Sequence, residues 1–193
     1  MWSQSQIKYF NQEDPQWNEE EDKVYYEAGN SYRTLAASGC GFTSIAMAVS
    51  TLQSTYINPV YMFRKLINLP DCYDTTNGMH QQAVIEAGKI YNLSTEKLYS
   101  KLAIKLALQN NDLVIFGADG PSCLTGVGHV VLIYGMETID GVEYFCIADP
   151  NMNNTNYTRS GHSYAVKDTV KDDGFVKVQA DYLMSHFVQA TKI

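Results

Sequence analysis

The stretch ASGCGFTSIAMAVSTL, residues 37–52, places small residues and a cysteine directly before an apolar run. The run is apolar on nearly every side, which predicts a buried helix over residues 40–53. Cys40 stands at its start, where unpaired N–H groups and the positive end of the helix dipole stabilise a thiolate. Gly39 and Gly41 leave room for another chain to approach. Cys40 is therefore a candidate nucleophile, with a small buried core residue as the alternative.

The bulk composition indicates one globular domain spanning residues 1–193. The chain is 45% hydrophobic, which is ordinary for a globular protein with a real core. Its 14 basic and 21 acidic residues give a net charge of −7. This balance excludes the basic surface that a nucleic-acid-binding protein needs, so no nucleic-acid partner is expected.

The four cysteines, Cys40, Cys72, Cys123 and Cys146, form no CxxC pair. This spacing excludes a zinc ribbon and a thioredoxin-like motif, and a chain with so large a core does not need a disulfide framework. We expect four free thiols. The first thirty residues lack the apolar stretch of a signal peptide, and no segment is long and apolar enough to span a membrane. Either the protein acts without its own secretion signal, or the chain is a domain of a longer protein that acts outside the cytoplasm or at the cell wall.

Helical patterns occupy the first half of the chain and strand patterns the second. Helices are predicted at residues 40–53, 58–68, 79–91 and 95–109, with a short closing helix at 181–189. Strands are predicted at 113–118, 129–135, 142–149 and 174–180, whereas residues 1–36 look irregular. The polar loop 150–163 is expected to be exposed and mobile beside the substrate cleft. This order predicts an α+β fold with a helical half packed on an antiparallel sheet.

A cysteine nucleophile needs a base, and the chain has four histidines: His80, His129, His162 and His186. His80 is predicted as a surface or capping residue, His162 lies in the polar loop, and His186 lies in the closing helix. His129 differs, because it opens an apolar strand, where a buried ring must be hydrogen-bonded. Gly128 leaves space beside it. His129 is therefore the candidate base, with a hydrogen-bonded core histidine as the alternative.

The base in turn needs a group that orients it, and the next strand ends in IADPN, residues 147–151. The carboxylate of Asp149 could fix the imidazole tautomer and stabilise the imidazolium, or it could simply be a turn residue. Asn151 is a rival, because Cys-His-Asn sets also exist.

The loop between these two strands decides whether such a triad can form. A two-residue turn at Asp140-Gly141 would put Asp149 on the face away from His129. A three-residue loop would set His129 opposite Asn151, with Asp149 diagonally adjacent on the same face. A longer loop centred on Ile139 would set His129 directly against Asp149. A triad therefore requires a bulged loop or a loop of odd length.

Four stretches together resemble the bacteriocin-processing-like, or double-glycine-peptidase-like, branch of the papain-like cysteine peptidases. They are YFNQEDPQW (9–17), SGCGFTSIAMAVSTL (38–52), GVGHVVLIYG (126–135) and IADPN (147–151). The resemblance implies a papain-like fold with Cys40 as nucleophile, His129 as base, Asp149 as orienting group and Gln12 as oxyanion-hole donor. The chain departs from the family pattern in two ways: Phe42 replaces a frequent proline, and 28 residues separate Gln12 from Cys40. Gln16 is the alternative to Gln12.

The resemblance also implies the reaction. It predicts hydrolysis of peptide bonds through a thioester, without a metal or an organic cofactor. A bacterial or phage role is implied, on a cell-wall peptide or a secreted peptide. Two other functions remain open: a peptide- or cell-wall-binding module that no longer turns over, and an acyltransferase of the transglutaminase kind using the same triad. The oligomeric state is left open.

Overall fold

The computed structural model of the protein describes residues 1–17, 25–28, 31–159, 161–168 and 173–193, with residues 25–28 and 31–33 described by their backbone alone. Within these ranges the helices are α1 Leu35–Ser38, α2 Cys40–Leu52, α3 Pro59–Leu66, α4 Gln81–Tyr91, α5 Lys101–Gln109 and α6 Ala180–Ser185. The strands are β1 Tyr25–Ala28, β2 Ser31–Thr34, β3 Tyr73–Asp74, β4 Gly78–Met79, β5 Glu96–Lys97, β6 Val114–Asp119, β7 Gly128–Ile139, β8 Val142–Ala148, β9 Val166–Lys167, β10 Phe175–Gln179 and β11 Phe187–Lys192.

Seven of these strands form one sheet in the order β5-β11-β6-β7-β8-β10-β9, and every neighbouring pair is antiparallel. Two small hairpins, β1–β2 and β3–β4, lie outside it. The predicted α+β class, a helical half packed on an antiparallel sheet, is confirmed.

Both faces of the central strands are buried, which explains why they read as continuous apolar runs. Leu132 and Ala148 face one apolar cluster, which also contains buried residues of α2, α3 and α4. Val131 and Ile147 face a second cluster, which contains residues of α5 and α6. Alternate residues of β7 and β8 therefore pack against different helices.

Helix α2 passes through the first cluster and is buried on all sides. Every residue from Gly41 to Thr51 is buried, as the apolar run predicted. Two of its buried serines have backbone partners: Ser44 Oγ donates to the carbonyl of Val130, and Ser50 Oγ accepts from Ile57 N. The helix can therefore hold its first residue firmly against the start of β7.

Two predicted helices are wrong in part. The fourth begins at Lys101, because Ser100 caps it by accepting from Ala103 N, and residues 96–97 form β5 instead. The closing helix ends at Ser185, and residues 187–192 form β11. There the chain bonds to both β5 and β6, so a strand covers the edge that β6 would otherwise leave open.

Candidate active site

Cys40 is the first residue of α2 and is partly exposed. Burial by itself would raise the pKa of its thiol. That effect is outweighed by a hydrogen bond to His129, by the charge of His129 and by the backbone of Val130, which together lower the pKa below its ordinary value. Cys40 therefore has the environment of a reactive thiolate.

The space beside Cys40 is filled by the chain itself, which corrects the expectation for two glycines. A side chain at Gly39 would overlap the backbone and side chain of Leu35, and a Cβ at Gly41 would lie 2.5 Å from Met79 Sδ. These glycines allow α1 and β4 to pack closely beside Cys40. At Gly128 the expected space exists, since the nearest atom to an added Cβ is 3.9 Å away.

His129 is the second residue of β7, and its side chain is 9% exposed. Its Nε2 lies 2.6 Å from Asp149 Oδ1, which leaves Nδ1 for the hydrogen bond with Cys40. Burial alone would lower the pKa of the imidazole. The negative charge of Asp149 and the two hydrogen bonds outweigh burial and hold the His129 pKa well above its ordinary value. One ring thus joins the thiol to a buried carboxylate.

Asp149 directly follows β8 and is fully buried. Burial would raise the pKa of its carboxyl, but the charge of His129 and hydrogen bonds from His129, Tyr157 and Asn154 lower it. Asn151 approaches the same carboxylate through its backbone N–H, 2.8 Å from Asp149 Oδ1. The side chain in contact with His129 is therefore that of Asp149, and Asn151 lines the cleft beside it.

The register of β7 and β8 explains how this contact arises. The hairpin closes with the two-residue turn Asp140-Gly141, both residues having positive φ, and pairs Ile139 with Val142. A bulge between Ile133 and Gly135 then shifts the pairing by one residue. The expectation of a bulged or odd-length loop is therefore wrong, because the irregularity lies within β7, where it returns Asp149 to the face of His129.

The two candidate glutamines lie in different places. Gln12 is 5% exposed and lines the same cleft as Cys40 and His129. Its Nε2 donates to the carbonyl of Ala36 at 2.6 Å, and its backbone N–H donates to Pro150 at 2.8 Å. Gln16 lies at a separate surface depression with Trp17 and Arg64. The structure thus brings Gln12, and not Gln16, to the cleft.

The cleft has a volume of about 800 Å³. Its walls come from the turn before α2, the segment 73–79, the ends of β6 and β7, and the bulged residue Val188 of β11. Among the described residues that line it, Asp119 supplies the one carboxylate, and none is lysine or arginine. The cleft can accept an extended chain without a large charge.

The loop 150–163 was expected to be exposed and mobile; it is exposed only in part, and its mobility stays a prediction. Residue 160 lies outside the described residues. Exposed residues such as Asn153 and Thr158 are interspersed with partly buried ones. Asn154 Nδ2 and Tyr157 OH both donate to Asp149 Oδ2. Sequence reasoning missed these two residues, because nothing in a run of Asn and Thr distinguishes a donor to Asp149 from a solvated side chain. Asn156 does border the cleft.

The remaining histidines lie outside this cluster. His80 precedes α4 and its Nε2 lies 2.8 Å from Asp74. His162 contacts Tyr182, and His186 contacts Asp119 at 3.2 Å. All four cysteines are described and none forms a disulfide, so the predicted free thiols are confirmed.

No group of three or more His, Cys, Asp or Glu side chains suited to a metal ion occurs within the part of the chain that the structure describes. In that same part, no helix has the length and apolar character needed to cross a bilayer.

Comparison with solved structures finds a similar fold. The fold is similar to that of a C39-like peptidase from Bacillus anthracis, with a TM-score of 0.56 and 15% sequence identity over 98% of this chain and 94% of that chain. The peptidase domain of Streptococcus ComA, described as a bifunctional ABC transporter of a quorum-sensing pathway, gives a TM-score of 0.49 at 13% identity over 81% and 90% of the two chains. A double-glycine-motif protease from an AMS/PCAT transporter, solved with a leader peptide, gives 0.48 at 16% identity over 89% of each chain.

No curated protein matches the chain. The model of the Peptidase_C39 like family matches residues 4–171, a span that contains Gln12, Cys40, His129 and Asp149. The chain therefore belongs to this family of cysteine peptidases.

Proposed function

We propose that the protein hydrolyses peptide bonds through a thioester on Cys40. The observation that carries the proposal is the position of one imidazole, that of His129. It is hydrogen-bonded to the thiol at the start of a buried helix and, 2.6 Å away on its other side, to a buried carboxylate. This arrangement stabilises a thiolate and an imidazolium together, which are the nucleophile and the general acid that amide cleavage needs.

In the first step the Cys40 thiolate attacks the carbonyl carbon of the substrate, and the electron pair of the C=O bond moves to oxygen. The backbone N–H of Cys40 and the side-chain amide of Gln12 donate to this oxyanion. One N–H of the Gln12 amide goes to Ala36, which fixes the amide plane, and we assign the other to the oxyanion. The His129 imidazolium then gives its proton to the leaving amine as the C–N bond breaks, which leaves a thioester.

In the second step neutral His129 takes a proton from water, and the resulting hydroxide attacks the thioester carbonyl. The C–S bond breaks, the acid product leaves, and the Cys40 thiolate and His129 imidazolium are restored. Asp149 keeps its negative charge throughout and fixes the tautomer and orientation of the ring.

We propose a peptide substrate, with a bacterial cell-wall peptide as the first choice and a secreted peptide as the second. The support is the cleft, which has room for several residues and no lysine or arginine among the described residues that line it. An extended, largely uncharged peptide fits these walls best.

The test is to incubate the protein with purified peptidoglycan and, separately, with a peptide library, and to score new amino termini by mass spectrometry. A Cys40→Ala variant is the matched control. New termini in both the wild type and Cys40→Ala, or in neither, contradict the proposal. A parallel reaction with an added primary amine separates hydrolysis from acyl transfer, because a transferase would place the acyl group on the amine.

A further inference from the structure

The carboxylate of Asp149 receives four hydrogen bonds, two on each oxygen. Oδ1 accepts from His129 Nε2 at 2.6 Å and from the backbone N–H of Asn151 at 2.8 Å. Oδ2 accepts from Asn154 Nδ2 at 2.8 Å and from Tyr157 OH at 2.5 Å. The residue is fully buried, so these donors replace the water that would otherwise solvate the charge.

The geometry points to Tyr157 as a positioning residue that keeps the Asp149 carboxylate ionised and aligned on His129, with Asn154 as its partner. This inference rests on the proposed function, because it assigns a role within the same Cys40–His129–Asp149 set. Neither residue touches the reacting atoms, and both would act through Asp149.

The amide of Asn154 is itself held in one orientation. Its Nδ2 donates to the carbonyl of Leu124 as well as to Asp149, and its Oδ1 accepts from the backbone and side chain of Asn156. A flipped amide would lose all of these bonds, so the donor is kept on Asp149 Oδ2. Since Asn156 lines the cleft, a continuous chain of hydrogen bonds joins the cleft wall to the carboxylate.

The titratable groups of the described chain that surround the Asp149 carboxylate are His129, Cys40, Tyr157, Tyr9 and Cys123. Burial and the nearby charge of Asp149 raise the pKa of Tyr157, and burial raises the pKa of Cys123 to about 12. Both therefore stay neutral, and the Tyr157 hydroxyl remains a donor. Without it, burial raises the pKa of Asp149 against fewer opposing donors. A carboxylate that is held less well in its charged and aligned form supports the imidazolium less, so the pKa of His129 falls.

The experiment compares two tyrosines that bond to the same residue. Tyr157→Phe removes the hydroxyl on the carboxylate, whereas Tyr9→Phe removes a hydroxyl 2.7 Å from the backbone carbonyl of Asp149 and leaves the carboxylate untouched. The ring resonances of His129 are followed by NMR across the pH range in the wild type and in each variant, beside the melting temperature. We expect Tyr157→Phe to lower the pKa of His129 by at least about half a unit, with Tyr9→Phe at the wild-type value.

Either of two results overturns the inference alone: a His129 pKa in Tyr157→Phe at the wild-type value, or His129 pKa values that fall in both variants in proportion to the loss of melting temperature. If Tyr157→Phe does not fold, Asn154→Ala serves as the second variant, with the same fall in the His129 pKa expected and an unchanged pKa overturning the inference. A wild-type Cys40 that alkylates no faster than a buried thiol overturns the proposed function and this inference together, so the two failures are distinguishable.

Discussion

His129 and Asp149 stand at the ends of neighbouring strands, 20 residues apart in sequence, with Nε2 and Oδ1 2.6 Å apart. The two-residue turn at Asp140-Gly141 by itself would place them on opposite faces of the hairpin. The bulge between Ile133 and Gly135 reverses that relationship. A local irregularity within the strand, remote from both residues, therefore makes their contact possible.

We expect Cys40 to react with iodoacetamide at neutral pH well before the other cysteines. Its thiol pKa is lowered by His129 despite burial, whereas burial raises the pKa of Cys72 to about 11 and that of Cys146 to about 12. Since the thiolate is the reacting form, the order of labelling follows these directions. Peptide mapping after partial alkylation of the folded protein gives the order. Equal labelling at all four cysteines would contradict the reactive environment assigned to Cys40.

The elements predicted best are those whose pattern is local. Helix α2 has an apolar surface on every side, and β6, β7 and β8 are apolar and β-branched, so type and approximate position follow from the residues alone. The closing segment could not be assigned in this way. The segment FVQATK forms a strand because it pairs with β5 on one side and β6 on the other. Its structure is therefore set by tertiary packing and not by its own residue pattern.

The candidate site could likewise be predicted only where its signal is local in the sequence. Position at a helix start singled out Cys40, and an unusual polar ring at a strand opening singled out His129. The choice between Asp149 and Asn151 depended on a register that the turn sequence alone gets wrong, because the bulge at Ile133 and Gly135 has no clear sequence signal. The donors to Asp149 Oδ2 depend on the path of an irregular loop, which no periodicity describes.

We expect Gln12→Ala to lower kcat/KM by about two to three orders of magnitude, the range typical of removing one oxyanion-hole donor. The rate of Cys40 alkylation should change little, since that reaction forms no oxyanion. Gln16→Ala is the matched control, because Gln16 lies at the depression with Trp17 and Arg64. Kinetics on a cleaved substrate, with alkylation alongside, make the test. A loss in Gln16→Ala but not in Gln12→Ala would transfer the role to Gln16.

Substitution by alanine at two glycines beside the site should change the free energy of unfolding to very different extents. Gly39→Ala should destabilise the fold by about 1–3 kcal/mol, because its Cβ would overlap the backbone of Leu35, which cannot move as a side-chain tip can. Gly128→Ala should leave the free energy of unfolding nearly unchanged, since the nearest atom is 3.9 Å from the new Cβ. Denaturant unfolding of both variants measures the difference. Equal losses would mean that the packing at Gly39 is not what limits substitution there.

The pH dependence of kcat/KM should show a plateau across neutrality. On the acidic side, activity is lost as the thiolate takes up a proton, and the lowered pKa of Cys40 places this limb below the ordinary thiol range. On the alkaline side, activity is lost as the imidazolium gives up its proton, and the raised pKa of His129 places this limb above the ordinary imidazole range. A profile that falls between pH 6 and 7, near the unperturbed histidine pKa of about 6.5, would mean that Asp149 does not support the imidazolium.

The last prediction separates Asp149 from Asn151 as the group that orients His129. Asp149→Asn keeps the size of the side chain but removes its charge, so it should lower kcat by about three to four orders of magnitude. It should also move the alkaline limb to lower pH, because the largest influence raising the His129 pKa is lost. Asn151→Ala keeps the backbone N–H that donates to Asp149 and should matter less.

His129→Ala is the reference, expected to abolish turnover while the fold survives. Rates and melting temperatures are measured together, so that a general loss of stability is not mistaken for a loss of chemistry. If Asn151→Ala is inactive and Asp149→Asn is active, the orienting role passes to Asn151, which the shifted register places opposite His129. If all three variants remain active, the cysteine peptidase mechanism proposed for this site is wrong.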